Sequence, residues 1–372
     1  MVEKKTFILI DAYALIHRAY HALPPLTTKS GELVNAVFGF ASILIKTINE
    51  FKPDYIAAAF DLPKPTFRHK EYKEYKATRK ETPPDLYTQV PIVKKVLKAF
   101  NVPIYEKSGY EADDIIGTIS KKLMSQNVEV LILTGDMDTL QLVGGNIKVY
   151  MPKRGLSDTV IYDEKKVEER FEGLKPSQLN DFKGLKGDPS DNIPGVKGIG
   201  EKTAINLLNR YKKIEKLYEA IEKGKITGVS NSVVEKLKTG KESAFFSKKL
   251  VTLHQNVPII FSLKENEFGK FNKDKLLEVF KDLGFTSLIE RLKSAGGPAS
   301  AGVQGILMMP VAETKKIKYL KAPFSGWEKL NKELKEAKEI YLSYRLKDGG
   351  NLKSMAISDS KNIYLLENNF LN

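Results

Sequence analysis

The sequence predicts an α/β protein: a mostly parallel central sheet flanked by helices, continuing into a helical region. Three observations carry this. TFILID (Thr6 to Asp11), YIAAAFD (Tyr55 to Asp61) and VEVLILTGDMD (Val128 to Asp138) each read as a buried strand that ends at an aspartate. Helical patterns run over 35–50, 88–100 and 113–125, a spacing that implies right-handed crossovers between parallel strands. Beyond Tyr162 the pattern is helical to about Leu292. In a parallel sheet the crevice at the carboxyl ends of the strands is where sites form, so Asp11, Asp61, Asp136 and Asp138 are expected on one edge.

The helical region is read from apolar residues at helical spacing over 165–171, 176–182, 202–211, 213–222, 232–239 and 241–253, joined by Gly-containing turns, and extends to about Leu292. SAGGPASAGVQG, Ser294 to Gly305, lacks charge and periodicity and reads as a flexible linker. The remainder is expected to hold a helix near 327–337 and strands near 339–345 and 354–357.

Composition bounds the function. The 372 residues are 42% apolar and 28% charged, a globular balance, and the net charge of +14 favours a polyanionic partner. With no cysteine, disulfides and thiolate metal sites are excluded. MVEKKTFILID is too short an apolar run for a signal peptide, and no window approaches a membrane span, so a cytoplasmic protein without a membrane partner is expected.

The acids are the sharpest signal. GYEADDIIG contributes Glu111, Asp113 and Asp114 at a helix start, and DPSD adds Asp188 and Asp191. With Asp11, Asp61, Asp136 and Asp138 they form a set of nine. Like charges so close raise one another's pKa, so a cluster of this size requires cations. All-oxygen ligation favours Mg²⁺ or Mn²⁺ over Zn²⁺, and nine acids suit two ions, a pairing that hydrolyses phosphodiesters. His17, His21, His69 and His254 are not grouped as ligands.

GVKGIGEKTA, Gly195 to Ala204, resembles a Walker loop in glycine spacing, but Glu201 stands where its lysine belongs and no strand precedes it. It reads instead as a helix-hairpin-helix. Gly195, Gly198 and Gly200 let backbone N–H groups approach a phosphate, with Lys197 and Lys202 adding charge and Thr203 in the following turn. Such a motif holds duplex backbone without reading sequence. PTFRHKEYKEYKATRK, Pro65 to Lys80, interleaves bases and aromatics. On a helix, Tyr72, Tyr75, Lys76 and Arg79 would share one face.

With FILIDAYALIHRAYHALPPL, AAAFDLPKPTFRHKEYKEYKATR, GYEADDIIGTI, ILTGDMDTLQL and GLKGDPSDNIPGVKGIGEKTA together, residues 4 to 292 resemble the 5′-nuclease domain of bacterial DNA polymerase I, of the flap endonuclease superfamily. The resemblance implies a PIN-like fold and a structure-specific 5′ to 3′ exonuclease and flap endonuclease. Its partners would be DNA with 5′ flaps, nicked duplex and RNA primer 5′ ends, and a polymerase domain in the same or a separate chain. It implies Asp11, Asp61, Glu111, Asp113 and Asp114 around a first metal and Asp136, Asp138, Asp188 and Asp191 around a second. Of these, Asp11, Asp61, Glu111 and Asp136 are counted as catalytic with Lys76 and Arg79. A helical arch would guide the 5′ strand through Tyr75, Lys76 and Arg79, assisted by Arg68.

The implied division is an α/β nuclease domain over 1–164, a helix-hairpin-helix region over 165–292, a linker over 293–305 and a partial, RNase H-like 3′ to 5′ exonuclease segment over 306–372. In EIYLSYRLKDGG, Ser343 and Arg345 stand where proofreading members carry an Asp-x-Glu pair, so neither proofreading nor polymerase activity is expected of this chain. A DNA-binding accessory module and a PIN-type ribonuclease are the competing readings. The complete acid set opposes the first, and the hairpin and basic stretch oppose the second.

Overall fold

The computed structural model describes residues 4–79, 81–152, 159–294 and three strands at 340–346, 352–359 and 363–367. Six strands form the main sheet: β1 (Lys5–Asp11), β2 (Tyr55–Ala59), β3 (Ile104–Tyr105), β4 (Val128–Leu133), β5 (Ile147–Pro152) and β6 (Thr159–Tyr162). Their order is β3-β2-β1-β4-β5-β6, parallel except for the β5/β6 pair. The chain steps outward from β1 through β2 to β3 and then returns to place β4 on the other side of β1. That reversal opens a crevice at the carboxyl ends of β1 and β4.

The first three sequence runs correspond to β1, β2 and β4; β3, β5 and β6 were not anticipated. β3 is only two residues long, and β5 mixes Lys148 and Pro152 into its run. α1 (Ala12–Ala22) was also missed, because no turn separates it from β1: Asp11 ends the strand and its Oδ1 accepts the Ala14 N–H as the helix N-cap. α2 (Asn35–Phe51) follows, then the short α3 (Phe67–Glu71). The pattern over 88–100 corresponds to α5 (Val90–Ala99), which a separate turn, α4 (Pro84–Tyr87), precedes; each has a proline in its first turn. α6 (Ala112–Leu123) starts at the acids.

Strand alternation sends the side chains of β1 to two cores. Phe7 and Leu9 join Val130, Ile132 and the Ile115 and Ile119 face of α6. Ile8 and Ile10 join Leu131, Leu133, Phe40 of α2 and Val93 of α5. Both faces are covered, which is why these strands read as continuous apolar runs.

The first core continues into α7 (Glu164–Arg170), α8 (Leu179–Lys186), α9 (Glu201–Tyr211), α10 (Ile214–Glu222), α11 (Asn231–Thr239) and α12 (Lys241–Val251). The expected helical region over 165–292 is not one body, however. After α12 the chain runs back along the sheet, where the Phe268 N–H donates to the Asp54 carbonyl at 2.8 Å. α13 (Lys273–Asp282) and α14 (Thr286–Ser294) then bury Leu276, Phe280 and Leu288 in the second core. Periodicity marks an apolar face; it does not say which core covers it.

Residues 308–372 form a separate unit, in which β7 (Ile340–Leu346), β8 (Leu352–Asp359) and β9 (Ile363–Glu367) make an antiparallel meander. The linker expected over 293–305 and the helix expected near 327–337 lie outside the described residues, apart from Lys293 and Ser294 at the end of α14. Among the described residues no helix is long and apolar enough to cross a membrane.

Candidate metal and nucleic-acid site

Seven of the nine expected acids, Asp11, Asp61, Glu111, Asp113, Asp136, Asp138 and Asp188, line one open cleft of about 1150 Å³ at the carboxyl edge of the sheet. Four of them, Asp11, Asp61, Asp136 and Asp188, accept backbone N–H groups. Asp11 takes its second hydrogen bond at Oδ2, from the Thr134 hydroxyl at 2.6 Å. Asp61, two residues beyond β2, accepts the Ala112 N–H at 2.9 Å, so the start of α6 is tied to the end of that strand. Asp136 caps a 3₁₀ turn through the Asp138 N–H at 2.8 Å. Asp188 caps another through Ser190, whose N–H and hydroxyl donate at 3.0 and 2.6 Å.

The electrostatics are those of an anion-rich cleft. Burial first, then the neighbouring Asp61 and Asp136, push the Asp11 carboxyl up to about 7, against the lowering effect of Thr134. Burial and Asp136 raise Asp138 to about 6. Asp61 is raised by burial and by Glu111, and Asp113 stands well above the usual carboxylate range because it is buried facing Asp11 and Asp136. Asp188 is the exception: burial opposes its ionisation, but the Lys183 ammonium at 2.6 Å holds it low.

Protein cations already satisfy part of this charge. Lys183 bridges Asp138 and Asp188, and Lys76 pairs with Glu111 Oε1 at 3.0 Å. Among the described residues no three His, Asp or Glu side chains converge as a finished ligand set. The chemistry of the cleft nevertheless fits hard divalent cations, with seven carboxylates in reach and Asp113 Oδ1 buried without any hydrogen-bond partner.

Asp114 does not belong to this set. It is 0% exposed, and its oxygens accept from Arg68 twice, from the Glu111 N–H and from the His254 N–H at 2.8 to 3.1 Å. No lone pair faces the cleft. One helical step separates it from Asp113 and turns it toward the interior. Asp191 also lies outside the lining; its carboxylate accepts from Arg79 and from the Tyr75 hydroxyl at 3.3 Å.

The basic stretch departs further from expectation. A reciprocal cap between Thr66 and His69 starts α3, and the extended backbone of Tyr72 stops it. Turns follow, with Lys76 at φ 59°, so Tyr72, Tyr75, Lys76 and Arg79 do not share a helical face. Tyr75 is buried and donates to Glu111 Oε2 at 3.1 Å, and Arg68 is 1% exposed; neither is available to bases or phosphates. Lys76 and Arg79 do line the cleft, together with His17 and His69.

In the hairpin loop between α8 and α9, Lys197, Gly198 and Gly200 are exposed; in the first turn of α9, Lys202 is exposed and Thr203 half-buried. Gly195 is not a phosphate donor: its N–H is taken by Ser247 Oγ at 2.9 Å. Its φ of +60° and its approach to Gly187, where an added Cβ would sit 2.2 Å from the Gly187 nitrogen, are what require glycine there.

The sequence reading passed over Thr134 and Lys183. Thr134 lies inside a quoted run, ILTGDMDTLQL, and Lys183 directly precedes another, GLKGDPSD, but Lys183 is one of 60 basic residues and only the fold shows which one meets the acids.

Residues 6–172 match the family model described as 5′-3′ exonuclease, N-terminal resolvase-like domain, and residues 174–274 match 5′-3′ exonuclease, C-terminal SAM fold. The chain carries the two domains of the 5′-3′ exonuclease family. Among curated proteins, this 5′-3′ exonuclease chain is 44% identical over 292 residues to DNA polymerase I of Bacillus subtilis, covering 78% of this chain and 33% of that protein. It is 41% identical over 287 residues to DNA polymerase I of Caldicellulosiruptor bescii, covering 77% and 33%. The match thus spans about a third of the length of these relatives. Among solved structures, the zinc-bound T5 5′-exonuclease aligns with TM-score 0.57 at 19% identity, covering 76% of this chain and 99% of that one. A T5 flap endonuclease complex with DNA and metal ions aligns with TM-score 0.55 at 18% identity, covering 77% and 100%. The catalytic core of Rad2 with DNA substrate aligns with TM-score 0.52 at 16% identity, covering 76% and 89%. These structures show the same fold, a mixed α/β sheet followed by a SAM-like helical domain.

Proposed function

We propose that the 5′-3′ exonuclease domains hydrolyse phosphodiester bonds of DNA at 5′ ends and flaps, in replication and repair, in the cytoplasm. The observation that carries this is the convergence of seven acids on one cleft bordered by Lys76, Arg79 and Lys183. The substrates are 5′ flaps, nicked duplex and RNA primer 5′ ends, and the partner is a polymerase domain of the same or a separate chain. In support, the T5 flap endonuclease and Rad2 structures are complexes with DNA, and the curated relatives are DNA polymerases.

Asp11, Asp61, Glu111 and Asp113 would hold a first Mg²⁺ or Mn²⁺, and Asp136, Asp138 and Asp188 a second. Bound there, two ions supply Lewis acidity that makes water a nucleophile and neutralises the leaving oxygen. The rest falls to the chain. Lys76, paired with Glu111, and Arg79, paired with Asp191, both line the cleft and offer cations to a phosphate that enters it. Lys197 and Lys202, with the exposed backbone of Gly198 and Gly200 and the turn at Thr203, hold the duplex backbone away from the cleft. Burial between opposed carboxylates keeps Asp11 and Asp113 prone to protonation until cations arrive.

β7 to β9 we assign to a 3′ to 5′ exonuclease-like segment without proofreading. Ser343 and Arg345 occupy alternate positions of β7, in register with Ala356 and Ser354 of β8, and an arginine in place of a ligand would repel the ion.

The test uses a labelled 5′ flap, a nicked duplex and a single-stranded RNA, each with Mg²⁺ and with EDTA. Metal-dependent cutting at the flap junction is expected. Binding without cutting would indicate an accessory module, and preferential RNA cutting a ribonuclease.

A further inference from the structure

Arg68 sits in the first turn of α3 with its side chain 2% exposed, and its guanidinium uses every donor it has. Nε donates to the Leu250 carbonyl at 2.8 Å. Nη1 donates to Glu111 Oε2 at 3.1 Å and to Asp114 Oδ2 at 2.9 Å. Nη2 donates to Asp114 Oδ1 at 2.8 Å and to the Thr252 carbonyl at 3.2 Å. No N–H remains for a phosphate.

These partners come from two regions. Glu111 and Asp114 open α6 at the cleft, whereas Leu250 and Thr252 close α12, where the helix dipole favours a cation. α12 also grips the hairpin: Ser247 Oγ accepts the Gly195 N–H at 2.9 Å and Ser243 Oγ donates to the Gly195 carbonyl at 2.6 Å. One helix therefore touches the exposed loop at Gly195 and, through Arg68, the carboxylate of Glu111.

We infer that Arg68 is a positioning residue that fixes Glu111 at the cleft and ties it to α12 and the hairpin. Glu111 Oε2 is held by Arg68 and Tyr75, which leaves Oε1, paired with Lys76 alone at 3.0 Å, to turn to a cation. A planar fork is needed: the lysine ammonium has three donors from one point and cannot span a bidentate carboxylate, a second carboxylate and two carbonyls. The inference rests on the metal-dependent reading of the cleft.

The experiment compares wild type with Arg68→Lys by Mn²⁺ calorimetry on DNA-free protein, flap binding in Ca²⁺, and kcat and KM in Mg²⁺. Loss of a partner that orients a ligand costs about 10- to 100-fold in metal affinity. The expected result is a loss of that size in Mn²⁺ affinity and in kcat, with KM and Ca²⁺-supported flap binding unchanged. Unchanged Mn²⁺ affinity, or a raised KM with intact kcat, overturns the inference, the latter because Arg68 would then contact DNA. Should Arg68→Lys lose its cooperative thermal transition, Asp114→Asn, which keeps the volume of the buried partner, is read by the same criteria. Unfolding of both variants also overturns it, since Arg68 would serve the fold alone. If wild type cuts no flap, the nuclease reading fails, while the Mn²⁺ comparison still decides the role of Arg68.

Discussion

The Thr134 hydroxyl donates to Asp11 Oδ2 at 2.6 Å, joining the end of β4 to the end of β1 at the point where strand order reverses. Thr134 Oγ1 also accepts the Asp136 N–H at 2.9 Å, so one threonine sets two of the cleft acids. Thr134→Val keeps the shape and removes both bonds. A hydrogen bond to a charged group contributes about 1.5–3 kcal/mol, and urea unfolding of metal-free protein at pH 8 should show a loss of that order. Unchanged stability would mean that Thr134 does not hold Asp11.

The cleft should bind protons and metal in competition. Asp11 is raised to about 7 and Asp138 to about 6, and Asp61 and Asp113 are also raised. A raised folded pKa stabilises fully below the unfolded value, about 3.9 for Asp, and that stability is lost as pH climbs through the folded pKa. Metal-free protein should therefore lose this contribution between about pH 4 and 7 and regain stability with a divalent cation. Calorimetry in buffers of different ionisation enthalpy should find more protons released on Mn²⁺ binding at pH 6 than at pH 8.5. Equal release at both would contradict the coupling.

Lys183 stands in for a cation between Asp138 and Asp188. Lys183→Met leaves both carboxylates facing each other. The metal-free protein should lose about 2 kcal/mol, less than a fully buried pair would cost because these side chains keep some contact with water. Mg²⁺ should restore more of the variant's Tm than of the wild type's. Equal Mg²⁺ shifts would place the ion elsewhere.

Much of the cleft was legible because a buried parallel strand is an unbroken apolar run, and an aspartate ending such a run must lie at the sheet edge. What a sequence does not show is the partner of an acid. Asp113 and Asp114 are neighbours of the same type, yet one faces the cleft and the other meets Arg68, a contact made only when α3 packs on α6. The spacing of Tyr72, Tyr75, Lys76 and Arg79 is helical, but the cap at Thr66 and the extended Tyr72 confine the helix to five residues. Likewise Ser247 on Gly195 is a contact 52 residues apart in sequence, which no local pattern encodes.

The hairpin should act on the duplex and not on chemistry. Replacing Lys197 and Lys202 together with alanine should weaken duplex binding and make the dependence of log affinity on log salt shallower by about 2. Lys76→Ala should slow cleavage substantially with little change in that slope. An unaltered slope for the double variant would remove the hairpin from the DNA interface.

The central claim is that the cleft acids perform hydrolysis while other residues hold the DNA. Its most direct measurement places Asp136→Ala and Asp61→Asn beside wild type on one 5′ flap, with binding measured in Ca²⁺ and cleavage in Mg²⁺. The account predicts flap affinity close to wild type and cleavage abolished in both variants, with a metal titration separating a lost ligand from lost chemistry. Near-normal cleavage by either variant would contradict it.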